Sequence, residues 1–139
     1  MRDLALIVVV IGAAIQPATA QDIAAGEASF RKCTACHGVG ENASHRMGPI
    51  LNDVFGRTAG TQEGYGYSRA MIEAGEAGLV WTPQTMTAFL REPRAFITGN
   101  KMSFVGVKND EELANVVAYL MTFSPNYQPP PAPDDKIAR

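Results

Sequence analysis

At 139 residues the chain is one domain's worth of protein, long enough for a modest core, and no period of about 20–50 residues repeats along it, which removes solenoids and propellers. Its net charge of −2 conceals a split: residues 31–108 carry nine basic and six acidic side chains, while acid collects at Asp22 and Glu27 before them and at Asp110, Glu111, Glu112, Asp134 and Asp135 after them. A mildly acidic protein with a weakly basic middle lacks the dense basic stripe of a nucleic-acid binder, though it permits either steering toward an acidic partner or an ordinary solvated surface.

The chain starts with Arg2 and an apolar run of twelve from Leu4 to Ile15, then Pro17 and the small-x-small stretch Ala18-Thr19-Ala20. This predicts a secretory signal peptide over 1–20, cleaved near Ala20, and a periplasmic product. The competing reading, an uncleaved membrane anchor, needs about 20 apolar residues and finds too few.

Asp22 is placed to cap a helix from Ile23 that runs into "CTACH", Cys33 to His37. Residues 38–66 are rich in glycine and turn formers and read as one long irregular loop. A short helix is expected over Tyr67 to Glu76. Thr82-Pro83 opens the next, with Met86, Phe89 and Leu90 on one face and Pro93 as its stop. A loop over Arg94–Lys108 pivots on Gly99 and Gly106. Asn109, with Glu112 three residues on, starts a last helix whose stripe is Leu113, Val116, Val117, Leu120 and Met121. The tail after Ser124, residues 125–139, is proline-rich and reads as extended and mobile, with little to bury. The domain over 21–124 is therefore all-α, and its scarcity of regular structure suggests a large buried cofactor.

Both cysteines of the chain fall in CTACH. A zinc site would need four ligands, and only Cys33, Cys36, His37 and His45 offer soft donors, with the two histidines eight apart and no second CxxC. A thioredoxin-like dithiol wants a βαβ setting that the chain does not show, and a chance match would not use both thiols in one motif. Covalent attachment of c-type haem fits: each thiol adds to one vinyl group, and His37 is projected at the iron. The sixth iron position then separates an open, ligand-binding haem enzyme or gas sensor from a closed electron carrier. Met86 and Met121 lie on apolar helix faces, and Met47 and Met71 have nothing to set them apart. Met102 sits in a separate loop, "ITGNKMSF", where ligation and simple packing on the core both remain open.

Over 23–120 the chain resembles a class I cytochrome c of the bacterial c2 or c-550 kind. The resemblance rests on Gly26 and Phe30 before CTACH, "GP.L" at Gly48, Pro49 and Leu51, Arg57, Tyr67 in "GYGYS", Trp81, "TGNKMSF" and Tyr119. It implies helices and long loops wrapped around one haem c held by Cys33 and Cys36, with His37 and Met102 as iron ligands. It further implies that Pro49 accepts a hydrogen bond from His37, that Arg57, Tyr67 and Trp81 surround the haem propionates, that Asn100 donates to a propionate, and that Phe104 covers the ligand loop. The chain departs from the family at Thr98, Asn100 and Phe89, the last replacing a tyrosine. The implied function is a soluble monomeric electron carrier and not an enzyme. Its partners would be a bc1 complex, a terminal oxidase, a photosynthetic reaction centre or a periplasmic dehydrogenase. Arg31, Lys32, Arg94, Lys101 and Lys108 are candidates for a basic ring that docks them.

Overall fold

The structure, a computed structural model, describes residues 21–131. The expected leader over 1–20 and the end of the tail lie outside these residues. Among the described residues five helices follow in order: α1 (Ile23–Phe30), α2 (Arg69–Glu76), α3 (Pro83–Arg91), α4 (Pro93–Phe96) and α5 (Asp110–Met121). Strand pairing among the described residues is confined to a single antiparallel bridge, Thr58 to Val80.

The caps follow the chemistry of the sequence. Asp22 accepts the Ala25 N–H, Ser68 that of Met71, and Asn109 that of Glu112. Thr82 and Thr85 form a reciprocal capping box ahead of Pro83. The box expected at Asn109 is only half made, because the Glu112 side chain turns to Lys32 instead. α1 stops at Phe30, earlier than the sequence suggests, and successive turns carry the chain through CTACH.

Pro93 ends α3 and also starts α4. A proline has no N–H to continue the ladder, but its fixed φ suits a first helical turn. The loop expected from Arg94 therefore begins after Phe96, and its predicted pivots Gly99 and Gly106 both take positive φ.

α1 and α5 make the most extensive helix–helix contact. It needs Gly26, because a Cβ there would lie 2.1 Å from the Asn115 carbonyl oxygen. Asn115 is buried and accepts the Asp22 N–H at 2.9 Å, and Phe30 packs on Tyr119 with centroids 5.4 Å apart. The α5 stripe of Leu113, Val116, Val117 and Leu120 is buried in the core beside Val54, Phe55, Met86 and Phe89. The start of the tail is not free: Tyr127 is half-buried, packs on Phe55 at 5.8 Å and donates its N–H to Ser124. Beyond it, residues 128–131 are exposed, as their proline content leads one to expect.

Candidate functional site: a cavity facing the CTACH turn

The N–H groups of Cys36 and His37 both donate to the Cys33 carbonyl, at 3.1 and 2.9 Å, which folds the motif into one turn. Cys33 and Cys36 are both half-buried. As a thiol, before any bond is made at its sulfur, Cys33 is pushed up to about 11 by burial, against the opposing pull of Lys32. The zinc reading finds no support: among the described residues no three His, Cys, Asp or Glu side chains converge. His45 is fully occupied by backbone, accepting the Ile50 N–H at Nδ1 and meeting the Glu63 carbonyl at Nε2.

His37 is oriented from behind. Its Nδ1 lies 2.7 Å from the Pro49 carbonyl, which can only accept, so Nδ1 carries the proton and Nε2 keeps its lone pair. Burial lowers the imidazole pKa, against the opposing Pro49 bond, and the ring is neutral. Gly48 leaves room for it, since a Cβ there would come within 2.4 Å of His37 Cε1. The Gly48 N–H donates to the Cys36 carbonyl at 2.8 Å, tying this segment to the motif.

In front of the turn opens a cavity of about 1280 Å³, counting its mouth. Cys33, Cys36, His37, Pro49, Arg57, Tyr67, Trp81, Asn100, Met102 and Phe104, the ten residues expected around the cofactor, all line it. Leu90, Val116 and Leu120 add apolar wall. Residues 23–124 match the family model described as Cytochrome c. The chain belongs to the cytochrome c family.

Among its relatives, a cytochrome c2 of Agrobacterium tumefaciens (strain II Chrys) is 51% identical over 78% of this chain and 96% of that protein. The cytochrome c2 of Blastochloris viridis is 40% identical over 89% of this chain and 95% of its own length. The solved structure of cytochrome c2 from Rhodospirillum centenum superposes with a TM-score of 0.72 at 43% identity, covering 75% of this chain and 99% of that one. The protein is a bacterial class I cytochrome of the c2 type, and it carries one haem c attached through Cys33 and Cys36.

The cavity of this cytochrome suits that group. Two cysteines, a neutral imidazole and four methionine thioethers, Met102 among them, line one apolar space. Arg57 lines it too, half-buried, donating to the carbonyls of Asn52 and Ile50 and to the Gln62 side chain. It makes no ion pair with a carboxylate among the described residues. A partly desolvated cation that feels Asp53 but has no carboxylate at ion-pair distance is matched by the carboxylates a haem brings. Burial pushes the Tyr67 phenol up, opposed by the Arg57 charge and the Gln62 backbone. Trp81 is held next to Arg57 because its backbone N–H donates to the Arg57 carbonyl at 2.9 Å.

Asn100 differs from the expectation. Its amide nitrogen donates to the Pro93 and Ile97 carbonyls, so both hydrogens are engaged within the loop and neither is left for a propionate. Phe89, where the resemblance leads one to expect a tyrosine, is buried between Trp81 and Phe96, centroids 5.1 and 6.2 Å away. Met47, Met71 and Met86 line the cavity alongside Met102, and so do Tyr65 and Ser68. Tyr65 was within reach of the sequence, standing in the same GYGYS stretch as Tyr67. Met71 was not, because the face it shows depends on where α2 docks.

Of the basic ring, Lys32 and Lys101 line the cavity. Lys108 is turned to the Arg91 carbonyl and to Glu92, at 2.7 and 3.9 Å. Arg31 and Arg94 are exposed without ion pairs among the described residues.

Proposed function

We propose that the protein is a carrier of single electrons rather than an enzyme, with iron held between Nε2 of His37 and the sulfur of Met102. The observation behind this reading is one cavity lined by a neutral, oriented imidazole and by a methionine from a separately braced loop, sixty-five residues apart in sequence. When bound, the haem supplies an iron that alternates between ferrous and ferric. His37 is held in one tautomer by Pro49, and the thioether of Met102 favours the ferrous state. Met102 is braced on both sides, its N–H donating to Asn100 Oδ1 and its carbonyl accepting from Phe104. Packed walls from Leu90, Val116 and Leu120 exclude water, and little in the cavity needs to rearrange as charge changes.

The same reading takes residues 1–20 as an export leader removed near Ala20, 21–124 as the haem domain and the periplasm as its location. None of the described helices is long and apolar enough to cross a membrane. Its redox partners would dock at the cavity mouth near Lys32 and Lys101, and a bc1 complex, terminal oxidase, reaction centre or periplasmic dehydrogenase fits that role. The deciding experiment is the absorption spectrum of the oxidised holoprotein. The weak far-red band of iron bound to thioether sulfur is expected in the wild type and absent in Met102→Ala. A wild type without the band that binds carbon monoxide readily would make the protein a ligand-binding haem protein instead.

A further inference from the structure

Tyr65 lines the cavity and contacts both Met47 and Lys101. Its hydroxyl donates to the Met47 carbonyl at 2.5 Å, in the segment that carries Gly48 and Pro49 behind His37. Its ring lies under the Lys101 ammonium, 4.6 Å from Nζ to centroid, and Lys101 adjoins Met102. Lys101 also donates to the Gly66 carbonyl and makes no ion pair with a carboxylate among the described residues. Tyr67 meets the Tyr65 ring edge-on at 4.8 Å, and the His45 ring lies 5.7 Å away. His45 itself joins Ile50 to Glu63, so the Tyr65 ring rests on chain already fastened to the 45–50 segment.

We propose that Tyr65 is a positioning residue that clasps the Met102 loop to the segment behind His37 and thereby controls how often that loop lifts off the cavity. The inference rests on Met102 ligation as proposed above. A ligand from solution reaches the sixth position only while the loop is open, so its binding rate scales with the open fraction. The hydroxyl fixes Tyr65 to one side and the ring face holds Lys101 on the other. Removing the hydroxyl loosens one attachment, and removing the ring loosens both.

The test is stopped-flow mixing of the ferric holoprotein with imidazole for wild type, Tyr65→Phe, Tyr65→Leu, Lys101→Leu and the Tyr65→Leu/Lys101→Leu double variant. Tyr65→Phe should bind imidazole about fivefold faster than wild type, and Tyr65→Leu about tenfold or more. The double variant should be no faster than the product of the single effects divided by a clear coupling factor, since both substitutions break one contact. A wild-type rate in Tyr65→Leu, or effects that simply multiply, overturns the clasp. Amide hydrogen exchange supplies a readout independent of the iron ligand. In Tyr65→Leu, residues 97–104 and 45–49 should exchange faster while α1 and α5 keep their protection, and uniform acceleration through the whole protein would reduce Tyr65 to a general stabiliser. A wild type lacking the far-red band would count against Met102 ligation, and the exchange pattern would still decide the clasp.

Discussion

The backbone N–H of Met102 donates to the Asn100 side-chain oxygen at 2.8 Å, while the amide nitrogen of the same side chain donates to the Pro93 and Ile97 carbonyls, each also at 2.8 Å. One amide thus stitches the start of α4, its end and the candidate distal ligand together. In this protein the loop is braced from within, by a side chain whose three polar contacts all go to backbone.

Asn100→Ala should therefore release the loop more than it weakens the fold. Each lost bond contributes about 0.5–1.5 kcal/mol. The expected result is loss or pH-sensitive weakening of the far-red band with only a modest change in the urea midpoint. Asn100→Asp keeps the acceptor for Met102 and removes both donors, so it should fall between the two.

Gly48→Ala places a methyl against the His37 ring, whose Cε1 would be 2.4 Å from it. Either the imidazole or the Gly48-Pro49 segment must move, and the His37–Pro49 bond is strained in both cases. Overpacking of this kind costs about 1–3 kcal/mol. Urea denaturation of the ferric holoprotein should report the loss, accompanied by a changed Soret spectrum; an unchanged spectrum at unchanged stability would contradict the packing described.

Arg57→Gln removes the half-buried cation from the cavity while keeping a polar side chain. A positive charge disfavours the ferric state, so its removal should lower the reduction potential, by something on the order of tens of millivolts. Spectroelectrochemical titration would check the direction, and a potential that rises would place Arg57 outside the haem's electrostatic field.

The Lys32–Glu112 pair joins the chain just before CTACH to the first turn of α5. The hydrogen bond from Lys32 holds the Glu112 carboxyl below the usual carboxylate range. A depressed carboxylate stabilises the fold above its unfolded-state pKa, and that contribution disappears as pH falls through its lower folded value. Wild type should exceed Glu112→Gln in urea midpoint at neutral pH, and the two should converge in acid. Both partners are partly exposed, with side-chain accessibilities of 54% and 27%, so the difference should be small and shrink with salt.

Much of the site was legible because its chemistry is local. Cys33, Cys36 and His37 declare themselves by spacing, and α5 by the period of Leu113, Val116, Val117 and Leu120. The identity of the cavity residues further along came from resemblance, and the structure gathers all of them around one cavity. What the sequence hid depends on distant partners. Asn100 looks like a free donor until the Pro93 and Ile97 carbonyls are brought to it. Pro93 signals a stop, and its restart of α4 goes with the anchoring of the Pro93 carbonyl by Asn100, while residues 94–96 of the turn stay exposed. Tyr127 belongs to a tail whose composition suggests no anchorage, because the ring it packs on, Phe55, lies far back in the chain.

The contact between Asp22 and Asn115 spans 93 positions of sequence. α1 emerges early and cannot dock until almost the whole domain has followed it, and contacts of such long range form slowly. The CTACH turn begins three residues after α1 ends. During biogenesis it is therefore made well before the helix crossing that completes the fold beside it, which leaves an interval in which both thiols stand on a chain not yet closed around them. The order of the elements thus favours modification first and closure afterwards.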